Sequence, residues 1–591
     1  MPNKLLISLI LLVNICVKAQ TFPYVKDWGT YYGGNNHIFR DAVVDSAGNI
    51  YIVSYVGENS SNDTNNYTTP NAHQPIYGGG VRDVFVSKFT PTGLLLWATY
   101  YGGEGYDYPS EIVLVDESSI YIVGMTTSHT NIATSDGYQT AMVEPDDIDV
   151  NESAGFIAKF SSEGELLYGT YYDGEREDNI SSIAVSDSHI YIYGTTTSSS
   201  NITTTDSFQP SFIGTSDQKY LFIAKFTHDG ERLWSTYYGA KISDDELIFL
   251  LEIGTMDIDQ DENIYFSGTV TDDTDYYASS NAVHQPQNNG NLDTFISKFD
   301  TNGNRVWSTY YGGTSADVAM RLAVQNNNLY LSGYTFSDAM SIGIVYQMQR
   351  IGFSDDFLLK MDFDGQPAWS TYYGGPSGGS NRSYVTFGDD ESVWLTGLTN
   401  DTDGIATLGS YQTGLNMGTS IQFKDAYFAK FTNSGQLEFA SYYGGENNEI
   451  SEAKTIPFGD DEFYIVGTTS SLTGIATPSA SQETVMTDNE DGYFETLFIG
   501  KFKPKSLGID GFNAVIYSLW PNPSTGVITL SSAKDVYFNL NCYDVQGRLV
   551  RRKNNLRTNA PVYLTDLSAG IYILEVTSES SNRLRFKVVF E

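Results

Sequence analysis

Cysteine is nearly missing: Cys16 and Cys542 are the only two in 591 residues, so no disulfide framework holds this chain together. Histidine is scarce as well. His37, His73, His129, His189, His228 and His284 never fall at the short spacings that build a structural zinc site. Basic residues are few, with 33 Lys+Arg against 72 Asp+Glu and a formal net charge of −39. So large an acidic surplus repels phosphate backbones and anionic lipid headgroups, which argues against nucleic-acid binding through counterion release. Past the first twenty residues no stretch approaches 18 consecutive apolar positions, so no integral membrane segment is expected in the mature chain. What the chain has is aromatic residues: 43 Tyr, 32 Phe and 7 Trp in a sequence that is 40% hydrophobic. That is too rich in core-formers for a disordered acidic polymer.

The opening residues are Met1-Pro2-Asn3-Lys4, an apolar run from Leu5 to Val17 broken by Ser8 and Asn14, then Lys18-Ala19-Gln20. A basic start, about a dozen apolar residues and Val17-x-Ala19 at the cleavage positions predict a secretory signal over 1–19.

Three phrases then recur seven times each. The first is Trp28-Gly-Thr-Tyr-Tyr-Gly-Gly34, repeated from Trp97, Tyr168, Trp234, Trp307, Trp369 and Phe439 at separations of 69, 71, 66, 73, 62 and 70 residues. The second is Phe85-Val-Ser-Lys-Phe89, with counterparts ending at Phe160, Phe226, Phe299, Met361, Phe431 and Phe502. The third resembles Ile120-Tyr-Ile-Val-Gly124 and also begins at Ile50, Ile190, Ile264, Leu329, Val393 and Phe463. All are short, β-branched or aromatic, and bounded by Gly, Asn, Asp and Ser, without a sustained 3.6-residue period, so they read as strands. Turns such as Asp300-Thr-Asn-Gly-Asn304 join the second phrase to the first as a hairpin.

Alternation puts Trp307, Thr309 and Tyr311 on one face of a strand and Ser308 and Tyr310 on the other. With an aromatic on both faces, such a sheet must lie between two others. A fourth strand fits the stretch after Gly-Gly, as at Arg321-Leu-Ala-Val324. Four strands in about 70 residues, seven times over, predict an all-β fold: a seven-bladed β-propeller over 20–502. The phrase at Trp28 lacks a preceding partner and the one at Phe498–Phe502 lacks a following one. The ring is therefore expected to close by pairing of the N- and C-terminal strands. Residues 503–514 read as a linker.

The succession of Gly-Gly, Ile-Tyr-Ile-Val-Gly, Phe-Ile-x-Lys-Phe and Trp-Ser-Thr-Tyr-Tyr-Gly-Gly over about 28–502 resembles the bacterial β-propeller repeat family of large secreted surface proteins. That resemblance implies a seven-bladed ring and no common enzymatic activity.

The last segment, 515–591, carries a net charge of +3; with +2 in the leader, −44 is left for the middle. Leu519-Trp-Pro-Asn-Pro-Ser-Thr-Gly526, Tyr543-Asp-Val-Gln-Gly-Arg-Leu549 and Leu567-Ser-Ala-Gly-Ile-Tyr-Ile-Leu574 read as short strands and tight turns of a small β-sandwich. Their order resembles the C-terminal (type A) sorting domain that Bacteroidota use for type IX secretion, with Pro521, Asn522, Pro523, Gly547, Gly570 and Tyr572 at that family's motif positions. The resemblance implies the type IX machinery as partner and a secreted or surface-attached protein. The family's usual basic terminus is replaced here by Lys587-Val-Val-Phe-Glu591.

Catalytic signals are absent from the sequence. The Gly-Gly pairs are followed by no Lys-Ser/Thr and no helix, so they read as strand-end turns and not as phosphate loops. Asp178 and Asp317, at matching places shortly after the Asp173-Gly174 and Gly312-Gly313 ends of their phrases, are expected to cap turns. The acidic groups Glu144-Pro-Asp-Asp-Ile-Asp149 and Asp259-Gln-Asp-Glu262 are calcium candidates that lack an EF-hand pattern, and no other cofactor is expected. Thr227-His-Asp-Gly-Glu-Arg-Leu-Trp234 departs from the sialidase Asp turn. Thr92-Gly-Leu-Leu-Leu-Trp97 mimics a quinone-dehydrogenase turn without that family's Cys pair or metal site. The expected function is a monomeric, non-catalytic binding or scaffold module for a glycan or protein. The alternative is a propeller hydrolase or lyase acting on extracellular polysaccharide or glycoprotein.

Overall fold

The computed structural model describes residues 22–57, 67–143, 153–212, 219–239, 254–271, 277–278, 284–416, 424–459, 461–485, 494–505, 518–532, 535–578 and 583–591. The expected leader 1–19, the acidic run 144–149 and residues 506–514 of the linker lie outside the described residues. The chain forms two compact units, Met1–Pro504 and Lys505–Glu591. No α-helix occurs among the described residues.

Among its described residues the first unit contains seven four-stranded antiparallel sheets. Sheet one is His37–Val44, Ile50–Gly57, Arg82–Phe89 and Leu95–Tyr101. Sheets two to six follow the same order over 107–172, 178–238, 256–311, 317–373 and 380–443. Sheet seven takes Glu449–Phe458, Glu462–Thr469 and Thr496–Pro504, and its fourth strand is Tyr24–Tyr32 from the start of the chain. In that pairing Tyr31 stands opposite Phe498 and Tyr24 opposite Pro504, so the strand runs two residues into the expected linker.

The local reasons are visible in the turns. In Asp300–Asn304 the Asp300 carboxylate accepts from the amides of Asn302 (3.0 Å) and Asn304 (2.8 Å), and Gly303 takes φ 82°. This Asx-and-glycine turn is the one that holds a tight hairpin. Strand alternation then sends aromatic rings to both faces. Tyr310 joins the cluster with Tyr238 and Phe295, whereas Trp307 and Tyr311 join Tyr265, Leu331 and Phe357 on the opposite side.

Seven such clusters lie between consecutive sheets, and one of them joins Tyr464, Val466 and Ile499 of sheet seven to Phe39, Ile52 and Phe85 of sheet one. The first strand of each sheet packs on the first strand of the next, and that of sheet seven on that of sheet one. At the outer edge five tryptophans grip the following sheet. Trp28, Trp97, Trp234, Trp307 and Trp369 donate from Nε1 to the carbonyls of Pro91, Ser162, Thr301, Phe363 and Asn433 at 2.8–3.1 Å. Each acceptor sits in a third-to-fourth-strand turn, and that turn needs glycine for a steric reason too: a Cβ at Gly164 (φ 87°) would lie 2.7 Å from the Trp97 ring. The tyrosine surplus has a use beyond packing. Tyr101 and Tyr171 hydroxyls donate to the carbonyls of Ile132 and Ser128, both at 2.8 Å, anchoring a long second-to-third-strand loop.

The second unit has a three-stranded sheet (Ser518–Trp520, Val527–Ser531, Pro561–Tyr563) and a four-stranded one (Leu549–Arg557, Tyr537–Asp544, Gly570–Ser578, Arg583–Phe590). Their common core includes Ile528, Leu540, Cys542, Leu574 and Val588. Cys542 is buried, and desolvation pushes its thiol up to about 11, which leaves it chemically quiet.

Candidate functional site

The long second-to-third-strand loops and the Gly-Gly turns lie at the same end of every sheet, so this end is where side chains from different repeats meet. Asp178 and Asp317 do cap their turns. Asp178 Oδ2 accepts from Gly174 N (2.7 Å) and Ser198 Oγ (2.9 Å), and Asp317 Oδ2 accepts from Gly313 N (2.7 Å) and Ser337 Oγ (2.8 Å). Burial raises both carboxyls, Asp178 to about 7. The cap is more general than the sequence reading held: Asp107 accepts from Gly103 N and Ser128, and Glu449 from Gly445 N and Ser471. In sheet one the corresponding inner-strand position, opposite Val56, is His37.

A second set of residues escaped sequence reasoning altogether. One glutamine per repeat, Gln74, Gln139, Gln209, Gln285, Gln347, Gln412 and Gln482, ties the long loop to the fourth strand. Its backbone N–H donates to the Thr or Ser before the tyrosine pair, and its side-chain oxygen accepts the amide after that pair, as in Gln347 with Thr371 (3.0 Å) and Gly374 (3.3 Å). The signal was present, because the seven glutamines recur in step with the phrases. Beside them stands a carboxylate at the head of the third strand: Asp83, Asp293, Asp355 or Asp425. Sheet two has Ala154 there and carries Asp173 in the turn where the other sheets have glycine. Asp173 Oδ2 accepts Val143 N (2.7 Å), so the same duty is done from the neighbouring strand.

Along the first strands the chain concentrates charge. Six of these strands carry a β-bulge at the same level, around Arg40, Ser110, Ser181, Met320, Ser383 and Glu452. A bulge frees backbone amides and re-aims side chains. Polar side chains of one sheet answer the freed amides of the next: Asp41 accepts Ile112 N, Glu111 accepts Ile183 N and Ser182 Oγ, and Asp257 accepts Val324 N. On the other side Lys454 pairs with Asp41 (2.7 Å), and Glu452 binds Arg40 (3.0 Å) and Tyr384 while Arg321 lies 3.9 Å away. The Arg321 guanidinium covers the Tyr384 ring at 4.3 Å and Arg40 covers Tyr108 at 4.7 Å. Burial, reinforced by Asp41, raises Glu111 to about 7, and burial raises Asp257 to about 6.

A cleft of about 600 Å³ opens between sheets five and six at the long-loop end. Tyr334, Phe336 and Phe353 form its aromatic wall, and Ser377, Asn400 and Lys424 supply polar groups. The rings meet edge to face, Phe336 with Tyr334 at 6.0 Å and with Phe353 at 5.4 Å, and Phe353 is 77% exposed. An aromatic wall beside hydroxyl, amide and ammonium groups is what a sugar ring needs: apolar C–H faces stack while hydroxyls are hydrogen-bonded.

Other candidates are not brought together. Among the described residues no group of three or more His, Cys, Asp or Glu is placed to hold a metal ion. Asp259 closes its own turn on the amides of Asp261 and Asn263, and Glu262 binds His189, Tyr191 and Lys225 in a bridge between sheets three and four. Thr92 lies in a third-to-fourth-strand turn and Thr227 ends a third strand, both away from the cleft. In the second unit Asn522 clasps the last strand, donating to Lys587 O (2.8 Å) and accepting Val589 N (2.9 Å) between Pro521 and Pro523. Gly547 takes φ 79° in the Asp544–Arg548 turn, and Tyr572, just after Gly570, donates to Ser568 O (3.0 Å).

Residues 518–591 match the secretion system C-terminal sorting domain family. An uncharacterized WD repeat-containing protein of Acanthamoeba polyphaga mimivirus is 21% identical over 431 residues, 67% of this chain; the aligned part spans only 26% of that protein's length. Among solved structures, the polysaccharide lyase Uly1 aligns with 81% of this chain and 98% of its own at 8% identity, TM-score 0.39. A Dyadobacter fermentans protein of unknown function (8% identity, 82% and 100% covered, TM-score 0.36) is similar at the same level. So is phage phi92 endosialidase (10%, 96% and 88%, TM-score 0.35).

Proposed function

We propose that this chain is a Bacteroidota protein exported by the type IX machinery, whose first unit is a closed seven-bladed β-propeller that binds a glycan at its long-loop mouth. The sorting-domain match at 518–591 supports secretion. The pairing of Tyr24–Tyr32 with Thr496–Pro504 and the packing of sheet seven on sheet one support the closed ring. The observation that carries the binding reading is the open aromatic cleft at Tyr334, Phe336 and Phe353. An open surface with aromatic and polar lining suits recognition of a sugar chain better than it suits a water-excluding reaction centre.

The test is a glycan-array screen of the purified first unit followed by calorimetry. Phe353→Ala is expected to weaken the best glycan about tenfold, the worth of roughly one stacking contact. Unchanged affinity in Phe353→Ala and Phe336→Ala alike would remove the cleft from the account. For the route out of the cell, deletion of 515–591 should leave the protein in the periplasm, and normal export without that segment would reject the sorting role.

The Arg40–Arg321–Tyr384–Glu452 cluster favours a second reading, a hydrolase or lyase acting on an acidic polysaccharide. Against it, Glu452 is already engaged by Arg40 and Tyr384, and Tyr384 is 3% exposed. These groups join sheets one, five, six and seven without offering a free acid or base. Chain cleavage by the wild type that is lost in Glu452→Gln, with folding intact, would decide for the enzyme.

A further inference from the structure

Asp425 at the head of the third strand of sheet six and Glu449 at the start of sheet seven are both buried, and each has one oxygen without a hydrogen-bond donor. Asp425 Oδ2 accepts from Gln412 Nε2 (2.5 Å) and Asn416 N (3.0 Å). Glu449 Oε1 accepts from Gly445 N (3.2 Å), Thr469 Oγ1 (2.8 Å) and Ser471 Oγ (3.0 Å). What remains is Asp425 Oδ1 and Glu449 Oε2. Both reach the same point, since a Cβ built on Gly444 would lie 2.7 Å from Asp425 Oδ1 and in collision with Glu449 Oε2.

We propose that Asp425 and Glu449 share one proton in the folded protein at neutral pH and form a proton-held clasp between the long loop of sheet six and the Gly-Gly turn leading into sheet seven. The inference does not rest on the glycan reading. Two carboxylates in contact away from water cannot both be charged. A proton between the two unsatisfied oxygens completes both, whereas a divalent cation would find only two free oxygens where calcium takes six to eight. Every other donor in the shell points hydrogen at the pair, which is a setting for an anion and not for a metal. Burial raises both groups; Asp425 adds to the rise of Glu449, which goes well above the usual carboxylate range, while hydrogen bonds with Asn416, Glu449 and Gln412 temper the rise of Asp425. The titratable neighbours are Tyr442 and Tyr443 of the same sheet and Tyr31 of sheet seven, and Lys424 precedes Asp425 in sequence. All three tyrosines are themselves raised and neutral at pH 7–9, so they supply no compensating charge.

Other carboxyl groups also stand near one another at this end: Asp173 lies within hydrogen-bond reach of Asp178, Asp107 raises Asp83, and Asp401 raises Asp355.

The sign follows from linkage. The unfolded chain gives up the proton in the ordinary carboxylate range and the folded pair keeps it, so stability falls as pH rises between those two values. Glu449→Gln places an amide N–H where the shared proton sits and removes the titration while keeping the shape; Asp425→Asn does the same from the other side. In melting scans of the full chain from pH 5 to pH 9, wild type is expected to lose midpoint steadily. Glu449→Gln should lose less, and its curve should cross above wild type at the alkaline end. The infrared band of protonated carboxylic acid in wild type at pH 7 should lose intensity in both variants. Parallel melting curves, or an unchanged acid band, would overturn the proposal. So would calcium that raises the wild-type midpoint at pH 8 but not that of Glu449→Gln. If one variant fails to fold, the other variant and the wild-type band carry the test.

Discussion

Removing residues 21–34 tests whether the first strand of the chain completes sheet seven. The segment carries Phe22, Tyr24, Tyr31 and Tyr32, all between 1% and 7% exposed, in the clusters that join sheet seven to sheets six and one. Each buried aromatic removes 150–250 Å² from water, worth about 4–6 kcal/mol at roughly 25 cal/mol per Å². The four together come to about 16–24 kcal/mol gross, an upper bound because unfolded chains already bury part of this surface. Even halved, to about 8–12 kcal/mol, that is comparable to the 5–15 kcal/mol by which a typical protein is stable. The deletion also bares Thr496–Pro504 as an unpaired edge, which recruits other chains. Size-exclusion chromatography with light scattering and dye binding should therefore report aggregates or a loosened state, and a peptide of residues 20–34 added in trans should restore the monomer. A monomeric deletion protein with an unchanged melting midpoint would refute the reasoning.

His37 is 1% exposed with neither ring nitrogen hydrogen-bonded, and burial lowers it to about 3. The unfolded histidine takes a proton near pH 6.5 and the folded one does not, so stability falls as pH drops through that window. The loss is about 2 kcal/mol at pH 5. His37→Phe should flatten this acid slope in denaturant titrations at pH 7 and pH 5, and equal slopes would contradict it. Gly164→Ala, which drives a methyl into Trp97 at positive φ, should cost about 2–4 kcal/mol. The same change at Gly459 (φ 54°, nothing within 4 Å) should cost only about 1–2; similar melting losses would remove the steric half of the argument. Gln347→Glu sets a carboxylate against Asp355 Oδ2, now 2.7 Å from Gln347 Nε2, and should destabilise by about 2–4 kcal/mol, more at pH 8 than at pH 5. A pH-independent effect would mean that Asp355 is not the residue felt.

The sheet pattern was legible because it repeats. Alternation in Trp307–Tyr311 gave both buried faces, and the unmatched phrases at Trp28 and Phe498 pointed to the pairing of Tyr24–Tyr32 with Thr496–Pro504. The shared caps were half legible. Asp178 and Asp317 were read, while Asp107 was passed over and Glu449 hid behind a longer side chain. The glutamines could have been found, since they recur once per repeat, but no strand or turn rule singles out a glutamine in a long loop. The cleft could not be read, because Phe336 and Phe353 occur in one repeat only and a search for what repeats discards what does not. Nor could the Arg40–Glu452 contact, whose partners are separated by 412 positions and meet only through sheet packing.

Sheet two's Ala154 and Asp173, where sheets one, four, five and six have an aspartate and a glycine, limit how these repeats can be recombined. A chimera cut between third and fourth strands, joining Asp83 to a turn copied from Asp173, would crowd two carboxylates at one loop anchor; the reciprocal join would leave Val143-type amides with no acceptor. Gene-level shuffling of this array should therefore tolerate breakpoints that carry the third strand, fourth strand and following turn as one piece, and should reject those that split them.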